Sequence, residues 1–247
     1  MPSVPRFYCA QALASGIALE LPAVPARHVQ VLRLQPGATV RLFDDSAAGG
    51  EFEATITSMG RRHVEVLVGQ HDPVNRESRR RVQLAIGMPA NERMDWLVEK
   101  ATELGVRAIQ PLMTQHSVVR LRDERASKRT AHWRGIAIAA CEQCGRNRLP
   151  GISEPLTLGA WSSQLPPPTR PAARLLLSLA HGATPLSDWL GDGHSGSPDV
   201  VLLSGPEGGL SDTEEAGAIA LGFFPVSLGQ RVLRAETAAL VALTLLA

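Results

Sequence analysis

Short runs of alternating apolar and polar residues occupy residues 1–72, after which the periodicity changes. Val40-Arg41-Leu42-Phe43 alternates, and Phe52, Ala54 and Ile56 resume the pattern beyond Asp44-Asp45-Ser46 and Gly49-Gly50, which together read as a hairpin connection. Val64, Val66 and Val68 repeat it. Several short strands at this spacing predict a small barrel. From Val82 the pattern becomes α/β. Val82–Met88 predicts a strand. Met94, Leu97, Val98, Ala101 and Leu104 then recur at helical spacing within Asn91–Leu104, with Gly105 placed to cap the helix. Further strands are predicted over Val106–Leu112, Leu175–Leu179, Val200–Ser204 and Phe224–Leu228, and a long helix over Ser127–Gln143. This alternation predicts a mostly parallel sheet with helices on both faces. Pro166-Pro167-Pro168 reads as a stiff connector and Gly191–Pro198 as a surface loop. The division that follows is 1–72, a polar linker over 73–81 with arginines at 76, 79, 80 and 81, and 82–247.

Two glycine loops stand out near the end of the α/β part. Leu202-Leu203-Ser204-Gly205-Pro206-Glu207-Gly208-Gly209-Leu210-Ser211 runs from a strand into a helix. Ser227-Leu228-Gly229-Gln230-Arg231 does the same before Val232-Leu233-Arg234-Ala235-Glu236-Thr237. Glycine at such turns lets a ligand approach the backbone, and two of them suggest one composite pocket. The first loop lacks the Gly-Lys-Ser/Thr of a P-loop and the spacing of the dinucleotide fingerprint. Ser211 and Glu214 form a capping box, and Asp212, Glu214 and Glu215 fill the first helical turn with negative charge. A phosphate there would meet carboxylates. The loop favours a neutral or cationic ligand, and the sulfonium of S-adenosylmethionine fits better than a nucleoside triphosphate.

Composition narrows the partners only slightly. The formal net charge is +1, with charged residues at 20% and hydrophobic residues at 44% of 247 positions, so a real core is expected and wholesale disorder is not. The distribution of charge says more. Residues 117–148 carry Arg120, Arg122, Arg125, Lys128, Arg129, Arg134, Arg146 and Arg148 against three acids, whereas residues 182–222 carry seven acids and neither Lys nor Arg. Such asymmetry fits a face for a polyanion, or a solvated helix face. Cys141-x-x-Cys144 has no second cluster to complete a zinc site, so no metal is expected and the three cysteines read as reduced thiols. No run of 18 apolar residues suggests a membrane span, and the expected compartment is the cytoplasm.

The stretch from Leu203 to Leu240 resembles the bacterial ribosomal RNA small subunit methyltransferase E family. Arg6-Phe7-Tyr8, Glu99-Lys100-Ala101-Thr102-Glu103-Leu104-Gly105 and Ala140-Cys141-Glu142-Gln143-Cys144-Gly145-Arg146 extend the resemblance over nearly the whole chain. It departs at Leu210, where the family commonly has an aromatic residue. The resemblance implies a SPOUT-type α/β methyltransferase domain with a C-terminal trefoil knot, preceded by a small PUA-like β-barrel that binds RNA. It implies methylation of N3 of a uridine in 16S rRNA of the small ribosomal subunit, with S-adenosylmethionine as donor, by a homodimer. The apolar final helix, Ala238–Leu246, could serve a dimer interface or its own domain's core.

The cofactor contacts expected are Leu179, Ser204, Gly205, Pro206, Glu207, Gly208, Gly209, Leu228, Gly229, Val232 and Leu233. Uridine N3 must lose a proton, and a guanidinium near O2 and O4 would stabilise the anion. Arg234 is the candidate, with a structural pairing to Glu236 or an adjacent helix as its alternative role. Glu207 and Glu236 could each accept a proton, orient the cofactor or hold structure. Arg6, Arg76, Arg79, Arg80 and Arg120 are candidates for phosphate contact, and Tyr8 for stacking on a base. Competing expectations are a SPOUT enzyme acting on a ribose 2′-hydroxyl or another base, a non-catalytic RNA-binding assembly factor, and an unrelated nucleotide-binding enzyme. His116 and His132 carry no assigned role.

Overall fold

The computed structural model describes residues 4–61, 63–90, 92–121, 123–167, 173–192 and 198–247, and the chain divides into two compact units. The first comprises residues 1–77 and 138–149; the second comprises 78–137 and 150–247. Part of the connector predicted at 166–168 and most of the loop predicted at 191–198 lie outside the described residues, as do Asn91 and Arg122.

The first unit is a five-stranded sheet in the order β1 (Arg6–Tyr8), β3 (Thr39–Phe43), β4 (Glu51–Met59), β5 (Val64–Asp72), β2 (Ala18–Glu20). The alternation read from the sequence is realised in β4 and β5, where Ala54 faces Val68 and Ile56 faces Val66. These four, with Val64, Val40, Leu42 and Phe7, form one apolar core. Two register shifts in the β4–β5 pair bend the ribbon, as bulges do. Asp45, Gly49 and Gly50 all adopt positive φ in the connection between β3 and β4. An α-helix, α1 (Ala23–Val31), was not foreseen. It covers the sheet with Pro25, Ala26 and Val29, and no side chain caps its N-terminus at Pro22.

Residues 138–149 belong to this unit through side-chain bonds rather than strand pairing. Glu142 accepts from the Tyr8 N–H at 3.0 Å, Arg146 pairs with Glu77 at 2.6 Å, and Arg148 donates to the carbonyl of Asp45 at 2.9 Å. Cys9 and Cys141 are buried, and burial pushes both thiols up to about 12. Because the thiolate is the reactive species, both should be inert in the native protein. A thiol reagent at pH 8 is expected to label only the half-buried Cys144, with the other two reacting after denaturation; mass spectrometry of the labelled peptides reads the outcome.

The second unit is an eight-stranded sheet in which every pairing among the described residues is parallel. Its order is β11 (Thr184–Pro185), β13 (Phe224–Ser227), β10 (Ala173–Leu177), β12 (Asp199–Ser204), β6 (Arg81–Gly87), β7 (Ala108–Met113), β8 (Gly151–Ile152), with β9 (Leu156–Thr157) also paired to β7. Arg81, read as the end of the linker, instead opens β6 and pairs with Asp199 at 2.6 Å. Both faces are covered, as predicted. Val82, Leu84, Ile86, Val200 and Leu202 point into a core shared with α2 (Glu92–Glu103), α3 (Asp123–Cys144), α5 (Leu186–Gly191) and α7 (Ala235–Leu246). Ala85, Leu203 and Leu176 point the other way, to Leu158 and Trp161 of α4 (Leu158–Ser162) and Ala218 of α6 (Asp212–Ala220). Gly105 takes φ +86° after α2, the conformation that a C-terminal cap requires.

Candidate functional site

Parallel strands end together, and the chain leaves β10, β12 and β13 on the same edge of the sheet. A cavity of about 620 Å³ opens there, a size suited to a small ligand. Its walls come from residues at and just beyond those strand ends: Leu177–Ala180 from β10, Ser204–Pro206 and Gly209–Leu210 from β12, and Val226, Leu228 and Val232–Arg234 from β13. Ala235 and Ala238 of α7 close one side, and Asp212 and Glu215 of α6 another.

Close packing of backbone on backbone sets the shape of the first loop. A Cβ on Gly205 would lie 2.8 Å from the carbonyl carbon of Gly209 and 2.8 Å from the nitrogen of Leu210. A Cβ on Gly87, at the end of β6, would lie 2.6 Å from the nitrogen of Pro206. The Gly209 N–H donates to the Pro206 carbonyl at 2.9 Å and closes a turn in which Gly209 takes φ +70°. Gly208 packs instead on His116, whose Nδ1 lies 3.0 Å from the Gly208 carbonyl and 3.3 Å from that of Gly209. Both partners are acceptors, so Nδ1 carries the proton.

The start of α6 is built as predicted. Ser211 accepts from the Glu214 N–H, and the Glu214 carboxylate accepts from the Ser211 N–H at 3.0 Å. The other Glu214 oxygen accepts from the Gln115 N–H at 2.8 Å, tying the loop after β7 to the glycine loop. Glu215 accepts from Ser178 Oγ at 3.3 Å. Of the three carboxylates that argued against phosphate, Asp212 and Glu215 sit on the cavity wall and Glu214 does not.

Glu207 reaches away from the turn. Its Oε1 accepts from the Ala90 N–H and from Arg93 Nη1, both at 3.0 Å. Burial pushes this carboxyl up, but the Ala90 and Glu207 N–H groups and the Arg93 charge outweigh it and hold Glu207 below the usual carboxylate range. Arg234 is the N-cap residue of α7. It is exposed, lines the cavity and makes no ion pair among the described residues, and its side chain leaves the helix end uncapped. The pairing to Glu236 weighed for it does not form; Glu236 approaches Arg93 instead, at 4.0 Å.

Most of the expected cofactor residues line this cavity: Leu179, Ser204, Gly205, Pro206, Glu207, Gly209, Leu228, Val232 and Leu233. Leu179 and Val232 are 73% and 77% exposed, apolar surface that a ligand would cover. Gly208, Gly229 and Glu236 lie outside the lining. Gly229 serves its turn through φ +98°. Arg93, Ser178 and Glu215 were not anticipated as lining residues, and Leu210, the departure from the family pattern, lines the cavity too.

The expected RNA contacts fare unevenly. Arg6 is turned inward, 3.2 Å from the buried Glu51 and against the ring of Phe43, so the guanidinium that a phosphate contact needs at the surface is committed elsewhere. Tyr8 is half-buried, its ring tilted on Phe43 at 5.6 Å. Arg76 is exposed but reaches Glu51 at 3.3 Å and the Gly145 carbonyl at 3.0 Å. Arg80 donates to the Leu246 carbonyl at 3.1 Å, while Arg79 and Arg120 are exposed. Within 117–148, Arg134, Arg146 and Arg148 are bound to protein oxygens, leaving a narrower basic face than the count implied.

The chain matches the RNA methyltransferase domain family over residues 76–247 and the RNA methyltransferase PUA domain family over residues 26–69. It is 33% identical to the ribosomal RNA small subunit methyltransferase E of Synechocystis over 87% of this chain and 67% of that protein. Among solved structures it is similar to a Legionella pneumophila methyltransferase with bound cofactor SAM, at 36% identity and a TM-score of 0.90, covering 99% of this chain and 97% of that one. It is similar also to the ribosomal RNA small subunit methyltransferase E of Neisseria gonorrhoeae bound to S-adenosyl methionine, at 34% identity and a TM-score of 0.88, covering 98% and 96%.

Proposed function

We propose that this chain, which belongs to the ribosomal RNA small subunit methyltransferase E family, binds S-adenosylmethionine in the cavity beyond β10, β12 and β13 and methylates N3 of a uridine in 16S rRNA. The observation that carries the reading is the division of charge and polarity within that one cavity. Leu177, Val226, Leu228 and Leu233 offer apolar wall for an adenine, Asp212 and Glu215 suit a cationic group, and Gly205 keeps the loop low enough for backbone contact. When bound, the cofactor supplies an activated methyl carbon on a positively charged sulfur.

The chain's own work is then positioning and charge stabilisation. Arg234, without an ion pair among the described residues and at an uncapped helix end, meets the developing negative charge on the uracil oxygens, and the first-turn N–H groups of α7 add the positive end of the helix dipole. Glu207 stays ionised and hydrogen-bonded, which suits an anchor of the loop rather than a proton acceptor. Target RNA meets the exposed Arg79 and Arg120 through phosphates, which bind without reading sequence. The two family matches support an RNA-binding domain followed by a methyltransferase domain, the match to the latter beginning at residue 76, inside the stretch read as a linker over 73–81. Exposed Val241 and Leu245 on α7 and Trp96 on α2 support a homodimer, and the trefoil knot is part of the same proposal.

The test is to incubate the protein with labelled cofactor and small subunits or rRNA from cells lacking it, then to digest and identify the modified nucleoside by mass spectrometry. 3-Methyluridine is expected. A 2′-O-methyl nucleoside or another methylated base would overturn the N3 assignment, and no incorporation with no cofactor binding would overturn the enzyme reading.

A further inference from the structure

Arg93 connects a cavity-lining loop to the first turn of α7, segments far from it in sequence. Its Nη1 donates to Glu207 of the first glycine loop at 3.0 Å, and its Nε lies 4.0 Å from Glu236 in the first turn of α7. Glu236 is 6% exposed, and its second carboxylate oxygen has no hydrogen-bond partner among the described residues. A buried carboxylate so poorly bonded is costly unless a cation faces it. Arg93 is the cation at hand, and it also lines the cavity.

We propose that Arg93 is a positioning residue for methyl transfer, holding the glycine loop and the N-terminus of α7 in one fixed relation. This rests on the cofactor and substrate reading given above. The loop supplies the cofactor's backbone contacts, and the α7 terminus carries Arg234. Transfer in line needs both sides placed to within a fraction of an ångström. A guanidinium suits the task because its planar fork can address two carboxylates at once, where an ammonium is a point charge. Without Arg93 the two carboxylates would face each other across the junction with no cation between, and the α7 terminus would shift away from the loop.

The test compares Arg93→Met, Arg93→Lys and Glu236→Gln. Arg93→Met is expected to lower kcat at least tenfold while the dissociation constant for S-adenosylmethionine changes less than threefold. The acid limb of the pH–rate profile should move to higher pH, because Glu207 loses a charge that keeps it ionised. Arg93→Lys should recover only part of kcat, since an ammonium keeps the charge but cannot address both carboxylates at once. In the cofactor-free protein, hydrogen exchange should speed up at two places together, residues 205–210 and the first turn of α7. That readout needs no activity, so it stands even where the substrate reading fails. If Arg93→Met proves too unstable to purify, Arg93→Lys and Glu236→Gln decide the matter, each expected to raise exchange at both places. Faster exchange at only one place, or an unchanged kcat and pH profile, would overturn the proposal. So would a loss of kcat matched by an equal loss of cofactor affinity.

Discussion

Replacing Arg234 by alanine is expected to lower methyl transfer about 100-fold or more while the affinity for S-adenosylmethionine stays within about threefold. The split follows from where the side chain sits. Arg234 lines the cavity from the N-cap of α7 but makes no ion pair among the described residues, so no buried partner there is left unsatisfied when it goes. Stability should therefore change by no more than about 0.5 kcal/mol. On the proposed uridine-N3 chemistry, what is lost is the charge that meets the uracil anion, and removing one well-placed donor of that kind costs about 2.7–4 kcal/mol of transition-state stabilisation. Lysine at 234 should give an intermediate rate, since it keeps the charge but not the fork. Single-turnover methylation and calorimetric titration separate the two quantities. An Arg234→Ala protein with unaltered turnover would remove this residue from the reaction.

Gly205→Ala is expected to abolish measurable cofactor binding, with affinity at least 100-fold weaker. The added methyl would lie 2.8 Å from two backbone atoms, which cannot swing aside as a side chain could. The turn from Pro206 to Gly209 must open, and the wall it forms moves with it. Gly209→Ala provides the contrast. That residue takes φ +70°, but nothing lies within 4 Å of its missing Cβ. Its cost is backbone strain of about 1 kcal/mol and a correspondingly modest loss of affinity. Titration of both variants, alongside their thermal unfolding, decides the matter. A Gly205→Ala protein that binds cofactor normally would mean that the tight loop does not shape the cavity.

What could be read from the chain alone was whatever has a local cause. The capping box at Ser211 and Glu214, the alternation in β4 and β5, and the cap at Gly105 are each written within a few consecutive residues, and each is realised. The two glycine loops were legible for the same reason. Their finer division was not: Gly208 is shaped by contact with His116, and Gly229 by its own turn, so neither reaches the cavity. Helix α1 is not legible in the sequence because Pro22 and Pro25 disguise its start. Arg6 reads as a surface cation until the fold brings buried Glu51 to it. Arg93 falls on the polar side of an amphipathic helix, and its partner Glu207 is 114 positions away. Nothing in the neighbourhood of either residue announces the other.

The place of β12 in its sheet governs when the protein can work. β6 and β10 are both synthesised before β12, yet β12 lies between them and hydrogen-bonds to each. A nascent chain reaching only to residue 198 would therefore hold β6 paired to β7 with its other edge bare, and β10 with no neighbour at all. Closure waits for a late segment to insert between two earlier ones, a distant pairing of the kind that makes folding slow. The enzyme then stays blind to its methyl donor until β12 and β13 have been made, and a bare strand edge in the interim is a hazard for aggregation that brisk translation of those segments would shorten.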